Sequence, residues 1–348
     1  MHRRNALPCL VAVLWVSFSG IGHAEDRKQA LGGDLSPEAV SREMVRLRSI
    51  TGVPFEMTAS EHFAIYHKAG AEDIAPMVQV VEAARTHFYE VFTDAGFTLS
   101  RLQGPLVWIC FPGQGGFNEY ALLAEGVDLS RLDGYYSTRT NRVAVVQTPP
   151  TFYERGIPTL RDGSRILLAS HRPSDRVLPM SPREQDLDSA KLTHELAHQL
   201  AFNSGLQKRG VMYPVWVSEG LATNFEFDWS EEAGFASCSG VRSACLLKAR
   251  AEGELMSLRK FVVQTKIPRS SRRSRQCYAQ AWAFFRYAMT EHPDRLHRYL
   301  ATLAALPQGR RSTATLLREF TDAFGPPEKL EASWERFIAR QELQVIAR

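Results

Sequence analysis

The chain has 348 residues, of which 44% are hydrophobic and 23% charged, and its formal net charge is +4. That composition is ordinary for a globular protein with a real core and excludes a disordered chain, while a charge this close to balance gives no reason to expect a nucleic-acid partner. The length suits one large two-lobed domain or two smaller ones.

The first 24 residues read as a secretory signal. Arg3 and Arg4 form a basic start, residues 6–21 are apolar, and Gly22-His23-Ala24 is a small-x-small cleavage site. The apolar run contains Pro8 and is short for a membrane span. The expectation is export to the periplasm or medium, with no integral membrane span after cleavage; an uncleaved anchor is the alternative. Four of the five cysteines lie beyond this leader, namely Cys110, Cys238, Cys245 and Cys277. An exported chain can use them as two disulfides, a local Cys238–Cys245 pair leaving Cys110 with Cys277, or keep them as buried thiols.

Residues 25–60 carry one amphipathic stretch at 37–47, read as a pro-segment, a linker or a packed helix. A sheet lobe is expected over 61–182. HFAIYH alternates as a strand, 74–92 has helical periodicity, and PLVWICF and NRVAVVQ are further strands. Residues 148–182 hold six prolines (149, 150, 158, 173, 179 and 182) and one strand-like string, SRILLAS, and read as a lid or a surface excursion.

The chemistry gathers in 192–226, within a helical unit expected over 183–348. Asp186 or Asp188 is the expected helix start. His194-Glu195-Leu196-Ala197-His198 places two imidazoles four residues apart. On a helix that is about 6 Å of rise on nearly one face, so both can reach one ion through Zn–N bonds of about 2.0–2.1 Å. Glu195 is turned by about 100° from His194, away from direct ligation and toward the role of general base. Glu219, in Trp216-Val217-Ser218-Glu219-Gly220-Leu221-Ala222, can supply a third ligand from a second helix. Two histidines and a glutamate with one open position describe a catalytic zinc, one Zn2+ per chain. A buried helix with two structural histidines is the plain alternative. Trp216 reads as a packing anchor.

These motifs resemble those of the gluzincin branch of zinc metallopeptidases, in which H-E-x-x-H precedes a distant glutamate. The metzincin pattern is excluded by Ala201 and Ser204. Looser similarity over most of 60–340, in EHFAIYH, GYYSTRTNRVAVVQ, CYAQAWAFFRYAM and FTDAFGPPEKLEASWERF, is to secreted bacterial peptidase-MA-like proteins. The resemblance implies an α+β, zincin-like fold with an N-terminal sheet lobe and a mainly helical C-terminal lobe, acting on a peptide or protein substrate. It also implies an edge strand that pairs with the substrate backbone, for which 141–147 is the candidate, a core strand being the other reading. Glu226 matches a glutamate that supports a zinc-bound histidine, and a surface carboxylate is the alternative. Tyr278, ahead of Tyr287, is the candidate donor to the oxyanion, set against an ordinary packed aromatic.

The basic stretch 266–275 reads as a solvated loop, and helices are expected at 295–306, 313–324 and 329–342. The sequence leaves two rivals to a peptidase: a zinc-containing binding or envelope-assembly module, and a cell-wall peptide hydrolase.

Overall fold

The computed structural model describes residues 35–70, 74–126, 128–129, 132–147, 189–230, 234–237 and 239–346. The candidate signal stretch, the 148–182 segment, both candidate cap aspartates and Cys238 lie outside them. In chain order the elements are α1 (Pro37–Thr51), β1 (Phe55–Ala59), β2 (Phe63–Lys68), α2 (Ala75–Asp94), β3 (Leu106–Phe111), α3 (Gln114–Glu125), β4 (Gly134–Ser137) and β5 (Arg142–Val146). After them come α4 (Ser189–Asn203), α5 (Val215–Thr223), β6 (Phe227–Ser230), β7 (Gly234–Ser237), α6 (Ser239–Ala251), α7 (Leu258–Phe261), α8 (Ser271–Glu291), α9 (Pro293–Ala305), α10 (Thr313–Phe324) and α11 (Pro327–Ile346).

The class is mixed α+β, with a small mixed sheet and a mostly helical second half. Strand order is β1-β2-β3-β5-β4; β2, β3 and β5 run parallel, and β1 and β4 are antiparallel to their neighbours. The sheet therefore begins at Phe55, ahead of Glu61, and α1 packs on α3 as a helix of this lobe. Ser36 starts α1 by accepting from the Ala39 amide at 3.3 Å, and Gly52 closes it at φ 74°, a left-handed conformation that glycine adopts without strain.

The near-continuous apolar runs of β3 and β5 follow from burial on both faces. Leu106, Trp108 and Cys110 of β3 join Val143 and Val145 in one core with α2 and α4. Val107, Ile109 and Phe111 join Ala144 and Val146 in another, under α1 and α3. Residues 141–147 are thus a core strand, paired on both sides, and among the described residues the edge beside α4 is β4. Periodicity shows that a strand is buried and is silent about its place in the order.

In the helical half, Trp216 is fully buried, with its ring 5.4 Å from Tyr299 and nearly parallel to it, and edge-on to Phe284, Phe320 and Phe324. It is the packing anchor its position suggested. Helix α8 lies against α5 so closely that a Cβ on Gly220 would stand 2.6 Å from the Ala281 carbonyl oxygen. The basic stretch is helical from Ser271 onward, and Arg272 pairs with Glu252 and Glu254. Cys110, Cys245 and Cys277 are free thiols, so the Cys110–Cys277 bridge is absent; the Cys110 sulfur instead meets that of Met77 at 3.3 Å. No helix among the described residues is long and apolar enough to cross a membrane.

Candidate metal centre

Helix α4 carries Leu192, Leu196, Ala197, Leu200 and Ala201 into the core, which fixes its rotation and turns His194 and His198 toward α5. The two Nε2 atoms face each other at 3.2 Å. Glu219 of α5 brings Oε2 to 3.5 Å from the His194 Nε2 and 3.7 Å from the His198 Nε2. All three residues are at most 3% exposed. They are the cluster among the described residues able to hold a metal ion.

The spacing fits one small cation. Ligand atoms at 2.0–2.1 Å from a tetrahedral centre lie about 3.3–3.4 Å from one another, close to the three separations. The Glu219 Oε2 is buried and lacks a hydrogen-bond partner of good geometry. An orphaned carboxylate oxygen facing two imidazole nitrogens is costly unless a cation or proton sits among them. Two nitrogens and an oxygen, without a thiolate, are a donor set that zinc accepts.

Glu195 is fully buried, and neither of its oxygens has a hydrogen-bond partner of good geometry. It lies under β4, where a Cβ on Gly134 would be 3.6 Å from its Oε1. Burial pushes its carboxyl up to about 8, with the Glu219 charge adding to the rise, while His194, the Tyr136 backbone and Lys191 act against it. For His194, burial opposes protonation, but the facing Glu219 carboxylate, the hydrogen bond to Glu226 and the charges of Glu226 and Glu195 prevail and raise it to about 9. His198 is lowered, chiefly by burial. Burial also works against a charge on Glu219, yet the two histidines hold it down to about 2.

Glu226, just ahead of β6, accepts from the His194 Nδ1 at 3.0 Å, which leaves Nε2 directed at the cluster. Arg242 of α6 donates to the same carboxylate and stacks over the Tyr278 ring at 5.4 Å from its centroid. Tyr278 is buried on α8, and its hydroxyl is raised well above the ordinary value by burial and then by the Glu219 charge, with Glu195 contributing. Tyr287 is elsewhere, bonded to Ser333 and His292. The structure therefore gathers His194, His198, Glu219, Glu195, Glu226 and Tyr278 into one region.

Sequence reasoning missed the supports. Arg242 has no motif spacing to betray it. Gln199 accepts from the Trp108 indole at 2.8 Å and donates to the Asn141 carbonyl at 2.9 Å, tying α4 to the sheet next to His198. Asn141, at φ 56°, turns β4 into β5 and accepts from Arg209 at 2.6 Å, Asn203 at 2.8 Å and Tyr136 at 3.0 Å. The left-handed turn is the one feature a sequence could have hinted at, since asparagine tolerates it. Lys191 is buried one turn before Glu195 and donates to the Val146 carbonyl at 3.1 Å.

Residues 188–307 match a family described as a protein of unknown function, DUF1570. The matched stretch contains all three cluster residues together with Glu195, Glu226, Arg242 and Tyr278. No curated protein matches the chain.

Proposed function

We propose that the protein is an exported, zinc-dependent peptidase of gluzincin type, its sheet and helical halves forming a zincin-like pair of lobes. The observation that carries the reading is Glu195. A carboxylate kept fully buried without a good hydrogen-bond partner, beside a metal-binding cluster, is expensive to maintain and pointless in a purely structural site.

Zinc held by His194, His198 and Glu219 would polarise a carbonyl and lower the pKa of a water toward about 7. Glu195 accepts the proton of the attacking water and returns it to the leaving amine nitrogen. A dication held by His194, His198 and Glu219 would lower the proton affinity of Glu195, which burial makes high in the metal-free site, and so leave its carboxylate ready to act. Gly134 keeps β4 free of a side chain where the carboxylate lies, so a peptide aligned on that edge by main-chain hydrogen bonds meets the base. Tyr278 serves as the donor to the oxyanion.

The test is digestion of a complex peptide library by residues 25–348 alongside Glu195→Gln. Cleavage by the wild type that disappears in a variant with equal zinc content supports the reading. No cleavage by a zinc-loaded wild type would refute general peptidase action and favour a binding module.

A further inference from the structure

We propose that Arg242 is a positioning residue of the metal centre, clamping Glu226 so that His194 keeps Nδ1 on that carboxylate and Nε2 on the ion. The inference rests on the reading of His194, His198 and Glu219 as metal ligands, and not on peptide hydrolysis.

The geometry is a two-point fork. Arg242 Nε donates to Oε2 of Glu226 at 2.8 Å and Nη2 to Oε1 at 2.5 Å, and the same Oε1 accepts from His194 Nδ1 at 3.0 Å. A carboxylate gripped side-on by a planar guanidinium cannot swing away from the imidazole, whereas one held by a single donor can. The clamp matters because two carboxylates press on His194 from opposite ring nitrogens, Glu219 at 3.5 Å from Nε2 and Glu226 at 3.0 Å from Nδ1. Without a cation at its back, Glu226 would gain by turning toward the surface, since its side chain is already 10% exposed. Tyr278 supplies the second wall: the guanidinium lies over its ring at 5.4 Å, a cation–π contact that fixes the plane of the fork. One side chain therefore touches both the partner of a ligand and the candidate oxyanion donor.

The docking of α6 does not rest on Arg242 alone. Leu246 and Ala249 of α6 are buried to 0% and 1% exposure, and α6 packs on both α8 and α11. A folded Arg242 variant is accordingly expected.

The experiment measures Zn2+ affinity, by competition with a chromogenic chelator, for the wild type, Arg242→Gln, Arg242→Lys, Glu226→Gln and the Arg242→Gln/Glu226→Gln double variant. Alongside it, NMR of the metal-free proteins follows the exchange-protected Nδ1–H proton of His194. Each Gln variant should bind about 10–100-fold more weakly, with Lys intermediate because it keeps the charge and loses the fork. The double variant should be no weaker than the worse single one, since both substitutions break one linkage. The Nδ1–H signal should be lost to exchange in Arg242→Gln. Wild-type affinity in a folded Arg242→Gln or Arg242→Lys, or losses that multiply in the double variant, would overturn the proposal. A wild type that binds no Zn2+ would instead sink the metal-centre reading, and a Nδ1–H signal retained in Arg242→Gln would then overturn the clamp on its own.

Discussion

Replacing Gly220 with alanine tests how the second helix sets the third ligand. The added Cβ would stand 2.6 Å from the carbonyl oxygen of Ala281 and 2.9 Å from the Phe285 Cβ. Neither can yield by a rotamer change, since one is main chain and the other the root of a side chain buried at 0% exposure. Helix α5 must therefore back away from α8, and Glu219, the adjacent residue, moves with it. Overpacking of this kind costs about 1–3 kcal/mol. Alanine recovers up to about 1 kcal/mol by its better helix propensity. The balance is a net loss of about 1–2 kcal/mol, or a fall of a few degrees in the melting midpoint, at roughly 2–4 °C per kcal/mol for a large domain. Zn2+ affinity should fall about tenfold with it, because a ligand displaced by a fraction of an ångström no longer meets the histidine pair. Urea denaturation and chelator competition on the same samples read both effects. A Gly220→Ala protein as stable as the wild type, with unchanged affinity, would refute the claim that this contact places Glu219.

Three further outcomes are expected. Zn2+ binding at pH 7 should release close to two protons per ion, because His194 is held protonated up to about 9 and Glu195 up to about 8 in the metal-free chain; titration calorimetry in buffers of different ionisation enthalpy counts them. Glu195 keeps its proton to about 8 in the folded chain against an ordinary 4.5, so metal-free stability is lost as pH rises through that window. Metal-free Glu195→Gln should accordingly be more stable than wild type at pH 9, by a few kcal/mol at 1.36 per pKa unit, and equal to it below pH 4.5; melts at the two pH values decide. Burial raises Cys110 and Cys277 to about 12, so iodoacetamide at pH 8 should leave both unmodified until the protein unfolds. Mass spectrometry of labelled peptides checks this, and a Cys110–Cys277 disulfide would contradict it.

What could be read from the chain divides along physical lines. His194, Glu195 and His198 were legible because a helix converts a spacing of four into convergence on one face, whereas Glu226 lies beyond the end of α5 at Thr223 and reaches His194 from the start of β6, so a helical reading of its spacing from Glu219 does not describe its place. Helices such as α10 and α11 were legible through apolar periodicity, with Gly325 at φ 83° and the two prolines after it marking the break. The order of strands was not, since β4 (GYYS) and β5 (RVAVV) are both buried and only pairing distinguishes the edge from the interior. Arg242, Gln199 and Asn141 were equally hidden. Their roles come from elements distant in sequence docking together, which no local pattern encodes. The choice between disulfides and free thiols stayed open for a related reason: Cys110 faces α2 and Cys277 lies by Gln264, and a count of cysteines contains no distances.

The metal centre stands or falls on His194, His198 and Glu219 closing on one ion, and X-ray absorption at the zinc edge of the loaded, full-length protein tests that directly. The predicted result is one zinc per chain with two imidazole nitrogens and oxygen in the first shell at about 2.0–2.1 Å, no sulfur, and loss of the bound zinc in His194→Ala or His198→Ala. A sulfur shell at about 2.3 Å, or zinc retained by both histidine variants, would contradict it.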